Sequence, residues 1–137
     1  MASPEPELSP SAGLLSALNG VICSEGIFDI DLLLRSFPTY GPWFIQVAFG
    51  SREDYESVST ARLKERKAIP WLLVHSRGDT LVDLAQAQVM QESLITLRGG
   101  DSTKVETEWE FEDEHDDVLK NPQFVQAVAS FVKRYTI

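Results

Sequence analysis

The stretch from Trp71 to Phe111 constrains the fold more than any other part of this chain. It opens with "WLLVHS", an almost unbroken apolar run of the kind a strand shows when both its faces are buried, and Pro70 stands at its start, where a missing N–H is tolerated. Leu84, Ala87, Met90, Leu94 and Leu97 then recur at steps of three and four, one apolar helical stripe that Gly99 and Gly100 end. "KVETEWEF" follows in strict alternation. Val105, Thr107, Trp109 and Phe111 fall on one face and mostly glutamates on the other, which predicts a strand near a sheet edge. A strand, a crossing helix and a strand make a right-handed parallel unit.

The same pattern continues on both sides. Val21 to Cys23 in "GVICSEG" form a compact apolar run ended by polar residues and Gly26, a further buried strand. Asn121 caps a last helix with Pro122 in its first turn, and Phe124, Val125, Val128, Phe131, Val132 and Tyr135 make its stripe. The expectation is an α/β structure: three parallel strands near 20–24, 70–75 and 105–111, with flanking helices. Residues 11–18 read as a short helix, and "DIDLLLRSFPTYGPWFIQVAFG" as two helical pieces broken at Pro38 and Gly41. Residues 51–67 are a polar excursion. Residues 1–10, with three prolines, read as a disordered tail, which leaves 11–137 as a domain or part of one.

Charge and cysteine usage narrow the partners. A net charge of −9, with "RLKERK" as the one basic cluster, argues against nucleic acid or an anionic membrane. Cys23 is the sole cysteine, so neither a disulfide framework nor a thiolate zinc site is expected. The N-terminal stretch has no basic leader and no apolar run long enough for a span, which points to the cytoplasm. Two histidines without paired spacing predict no metal site, and no cofactor is expected.

Parallel sheets gather functional groups beyond the carboxyl ends of their strands. Asp79 follows one predicted strand in "SRGDTLVD", and His115 follows the next in "EDEHDDVLK". An acid and an imidazole so placed, in that order, match the last two members of a nucleophile, acid and histidine triad as α/β-hydrolases arrange it. The acid would fix the imidazole tautomer and stabilise the imidazolium; the histidine would carry the proton. Both residues also have plainer uses, Asp79 as a helix cap and His115 as solvated surface.

The stretches "EGIFDIDLLLRSFPTYGPWFIQVAFG", "LLVHSRGDTLV" and "HDDVLKN" occur in this order, and from about Asn19 onward the chain resembles the C-terminal half of kynurenine formamidases (arylformamidases), especially the fungal type, within the α/β-hydrolase fold. The resemblance implies that Asp79 is the triad acid and His115 the base. It implies hydrolysis of N-formyl-L-kynurenine to L-kynurenine and formate, a metal-free cytosolic step of tryptophan catabolism. Two motifs of that family do not occur in this sequence: the His-Gly-Gly oxyanion stretch and the Gly-x-Ser-x-Gly elbow. Without the serine there is no acyl acceptor, and without the glycine-rich amides the oxyanion loses much of its stabilisation. The chain alone is therefore expected to be inactive. It is either part of a hydrolase completed by further sequence or a second polypeptide, or an inert fragment that serves as an interaction module.

Ser24 in "ICSEG" ends like an elbow, but Ile22 occupies the place of the first glycine and would crowd the sharp turn. The resemblance makes this the strand after the nucleophile strand. Cys23 reads as a small buried hydrophobe and His75 as locally hydrogen-bonded. Phe28, Trp43 and Phe44 are candidate substrate contacts, with Phe37, Tyr40 and Phe49 nearby, and core packing is their competing use. The acidic run 106–117 reads as a solvated face. A strand at Val21 to Cys23 without its other neighbour would expose an apolar edge, so a complementing chain or a second copy is expected there.

Overall fold

The computed structural model of the protein describes residues 11–63 and 68–136. The predicted tail, and the part of "RLKERK" from residue 64 to 67, lie outside the described residues. The elements are α1 (Ala12–Ala17), β1 (Val21–Ser24), α2 (Ile30–Ser36), a π turn at Gly41–Ile45 leading into α3 (Gln46–Phe49), β2 (Trp71–Ser76), α4 (Ala85–Leu97), β3 (Val105–Phe111) and α5 (Pro122–Tyr135). The strands lie in the order β1-β2-β3, and both pairings are parallel. Strand positions and direction match the sequence expectation.

Alternating side chains of β2 feed two cores. Leu73 packs with Phe28, Ala61, Met90, Leu94 and Val105 on the side that α4 covers. Leu72 and Val74 pack with Phe111, Val118 and Phe131 on the side of α5. Each of these fully buried aliphatic side chains contributes about 2 kcal/mol. A third cluster of Ile30, Leu33, Ile45 and Tyr55 ties α2 to the π turn that leads into α3.

The alternation of β3 predicts Val105 and Phe111 on one face, yet they join opposite cores. The cause is a β-bulge: Val74 pairs with Glu108 and Ser76 with Phe111, so Trp109 and Glu110 together oppose His75 alone. One extra residue reverses side-chain parity, moving Phe111 to the α5 side. Pairing then continues past the strand ends, where the Arg77 amide donates to the Phe111 carbonyl at 2.8 Å.

Two helical stripes are narrower than predicted. In α4 the buried positions are Gln86, Ala87, Met90 and Leu94, while Leu97 in the last turn is exposed. In α5 only Phe131 is fully buried; Phe124, Val128 and Tyr135 are half-buried, and Val125 and Val132 are exposed. Those two valines stand seven residues apart, on a stripe beside the one that meets the sheet. The predicted Asn121 cap is present, accepting from the Gln123 amide at 2.9 Å, and Asp29 caps α2 by accepting from the Leu32 amide at 3.0 Å.

Candidate active site

The loops that follow β2 and β3 leave the carboxyl edge of the sheet side by side and are joined along their length. The Ser76 hydroxyl donates to the Asp113 carbonyl at 2.5 Å and accepts from the Gly78 amide at 3.1 Å. Thr80 Oγ1 donates to Glu114 Oε2 at 2.8 Å, while within the second loop Asn121 Nδ2 donates to Asp113 Oδ2 at 2.9 Å. Gly78 is required at the closest approach: a Cβ there would stand 2.2 Å from the Glu112 carbonyl oxygen, far inside contact distance.

This joint brings Asp79 and His115 together. Asp79 Oδ2 accepts from His115 Nδ1 at 2.7 Å, with the Asp79 side chain fully buried and that of His115 27% exposed. Asp79 Oδ1 meanwhile accepts from the Leu81 and Val82 amides at 2.8 and 2.9 Å. The capping use and the imidazole-orienting use therefore coexist, one on each carboxylate oxygen. Burial pushes the Asp79 carboxyl up. Hydrogen bonds from Glu25, the Val82 amide, His115 and the Leu81 amide outweigh it and hold the group below the usual aspartate range. With Nδ1 committed to an anion, Nε2 is the ring nitrogen left for a reacting group.

The other histidine plays a different part. His75 is completely buried; burial lowers its pKa, and its Nε2 donates to the Val82 carbonyl at 2.8 Å. It pins the far end of the Asp79 loop as a neutral ring.

Glu25 is the site residue that sequence reading missed. It directly follows β1 in the left-handed region, at φ 51°, and is buried. Its Oε1 accepts from the Ser76 amide at 2.9 Å. Burial, followed by the hydrogen bond with Asp79, raises its pKa to about 8. Its available signal was position, a glutamate before Gly26 at the carboxyl edge, but Ser24 beside it drew the elbow comparison. Glu25, Asp79 and His115 each offer a donor atom within 4.8 Å of the others, a spacing that could also suit a cation. Asp79 Oδ2 and His115 Nδ1 are already bonded to each other, which organises the cluster around a shared proton.

The other candidates lie elsewhere. Phe28, a candidate substrate contact by sequence, is a core residue: it is 7% exposed and packs on Leu73, Met90 and Leu94. Its ring fits because Gly26 has no side chain, since a Cβ there would sit 2.5 Å from Phe28 Cζ. Trp43 and Phe44 join an aromatic cluster with Tyr40, with ring centroids 5.2 to 5.5 Å apart. Trp43 is 70% exposed and Phe44 half-buried. The cluster reaches the Asp79 loop through the Tyr40 hydroxyl, which donates to the Leu81 carbonyl at 2.9 Å. Ser24 lies inside β1, paired with Val74, and α2 begins only at Ile30, so no strand-to-helix elbow exists at that serine. A groove of about 350 Å³ between β3 and α5, lined by Glu106, Glu108, Glu110 and Arg134 among others, contains neither Asp79 nor His115.

No family model matches the chain, and no curated protein matches it; the likenesses found are structural. An acylaminoacyl peptidase from Pyrococcus horikoshii superposes with a TM-score of 0.67 at 21% identity, covering 85% of this chain and 20% of the peptidase. The esterase Pf2001 from Pyrococcus furiosus superposes with a TM-score of 0.59 at 17% identity, covering 90% of this chain and 47% of the esterase. The chain thus spans less than half the length of either enzyme. Its three parallel strands and flanking helices form an α/β fold shared with part of each of these two enzymes. Among the described residues no helix is long and apolar enough to cross a membrane.

Proposed function

We propose that this chain carries the acid and base of a serine-hydrolase site of the kynurenine formamidase kind, completed by a segment that supplies the nucleophile and oxyanion donors. The observation that carries the reading is the 2.7 Å bond between buried Asp79 and His115 across the carboxyl ends of adjacent parallel strands. Asp79 holds the Nδ1 proton, so Nε2 takes the proton of an incoming serine as its oxygen attacks the formyl carbon. The same proton passes to the aryl nitrogen as the carbon–nitrogen bond breaks and L-kynurenine leaves. Nε2 then deprotonates a water that attacks the formyl ester, and formate and the free serine result.

Two features support an aromatic formamide as the substrate class. One is the sequence resemblance; the other is the cluster of Phe37, Tyr40, Trp43 and Phe44 anchored to the acid-bearing loop by the Tyr40 hydroxyl. The completing segment pairs along the outer edge of β1, which among the described residues bonds only to β2. A second copy of this chain would bring no elbow serine, so a complementing segment fits this edge better than a homodimer.

The test fuses this chain after the half of a fungal kynurenine formamidase that ends with its Gly-x-Ser-x-Gly strand. The fusion is expected to hydrolyse N-formyl-L-kynurenine faster than an aryl acetate or an N-acetylated peptide, and the 137-residue chain alone to hydrolyse none. Preference for the acetate or the peptide would overturn the formamide reading. A soluble, folded fusion inert toward all three would favour the inert interaction module.

A further inference from the structure

We propose that Glu25 is a positioning residue of this site, a neutral carboxylic acid that donates a hydrogen bond to Asp79 and so leaves Asp79 as the single anion aimed at His115. The inference rests on reading Asp79 and His115 as acid and base, and it adds a third group from a third strand. Hydrogen-bond accounting leads to it. Glu25 Oε1 is satisfied by the Ser76 amide, whereas the buried Oε2 meets no donor among the described residues. The ring nitrogen of His75 stands 3.5 Å from Oε2, but its hydrogen is given to the Val82 carbonyl at 2.8 Å. That same nitrogen stands 3.7 Å from Asp79 Oδ2, and Glu25 and Asp79 each offer a carboxylate oxygen within 4.8 Å of the other, so two acceptors share one buried site and one proton between them satisfies both.

Asp79 is the poorer place for that proton. It already accepts two amides and an imidazole, all of which favour its charged form, while Glu25 accepts one amide. The titratable groups facing Glu25 are Asp79, Asp113 and His75, with His115 and Asp83 beyond them. Three of those five are carboxylates, which further disfavours a second anion here. The backbone marks the position as well, because Glu25 takes up a left-handed conformation rare for a non-glycine residue. Loss of the Glu25 proton would set two carboxylates against each other in one buried site and disturb the aim of Asp79 at His115. The arrangement thus has an alkaline limit.

Carboxyl-carbon NMR on the full chain labelled with ¹³C-glutamate tests this without a variant, and Glu25→Gln, which keeps an acceptor for Ser76 and a donor for Asp79, assigns the signal. One glutamate should titrate with a midpoint of about 8 and vanish in Glu25→Gln. The His115 Nδ1–H resonance should inflect at the same pH in the wild type and stay flat there in the variant. A Glu25 signal titrating among the ordinary glutamates near 4.5 overturns the proposal, as does an inflection that persists in Glu25→Gln. An Nδ1–H resonance indifferent to Asp79→Asn would instead overturn the underlying acid and histidine reading.

Discussion

The two flanks of the sheet are finished to different degrees. Where β2 and β3 end, the loops are bonded to one another through three side-chain hydrogen bonds and held at backbone contact by Gly78, and five of the six β2 residues are buried. Along β1 every strand residue is only half-buried, and the segments on either side of it expose Leu14, Leu15, Leu18 and Ile27. Support for the acid and the histidine is internal to this chain. The side on which a nucleophile strand would lie in an α/β-hydrolase is the side left with an apolar edge. The geometry that two adjacent loops can hold is formed within this chain, and the proposed nucleophile would have to come from beyond β1.

Substitutions should respect that contrast. Gly78→Ala drives a methyl group into the Glu112 carbonyl and must part the two loops, so a loss of about 3 kcal/mol or more is expected in urea unfolding, together with loss of the His115 Nδ1–H signal. A loss under about 1 kcal/mol would mean the loops are not rigidly joined. Next comes Gln86, which is fully buried on α4, accepts the amides of Phe28 and Asp29 and donates to the Asp29 carbonyl. Gln86→Ala leaves the Phe28 and Asp29 amides unpaired, while the Asp29 carbonyl keeps the Leu33 amide, and should cost about 2 to 3 kcal/mol by the same measurement.

The pH dependence of stability sharpens the comparison further. Folded Glu25 keeps its proton up to about 8, whereas an ordinary glutamate releases it near 4.5. Between those values the folded chain binds the extra proton, so stability should fall as pH rises through that window and level off above it. The effect should be on the order of one to a few kcal/mol, and Glu25→Gln should flatten the curve of Tm against pH. A parallel curve for the variant would remove Glu25 from the account. The smallest effect belongs to the open flank: Leu14→Ser, at a residue 55% exposed, should change the stability of the isolated chain by no more than about 0.5 kcal/mol.

Much of this is legible in the sequence. Apolar runs placed all three strands, helix-length crossovers made them parallel, and Asp79 and His115 followed from where the strands stop. Periodicity could not see the bulge at Trp109 and Glu110, because an extra residue in one strand is defined by its partner's register. Nor could it separate Phe28 from Trp43, since a core ring and an exposed ring read alike until packing is known. Glu25 and Gln86 escaped for a related reason. A buried polar residue is recognised by what it bonds to, and both bond to segments far away in sequence.

The central claim is that Asp79 and His115 act as one acid–base unit once a nucleophile is supplied. A double-mutant cycle on the fusion described above, using Asp79→Ala, His115→Ala and the pair, tests it most directly. Each single change should lower kcat by about ten-thousand-fold or more, and the double change should lower it little further, because each loss removes the same function. Two losses that multiply, or turnover that persists without His115, would contradict the account.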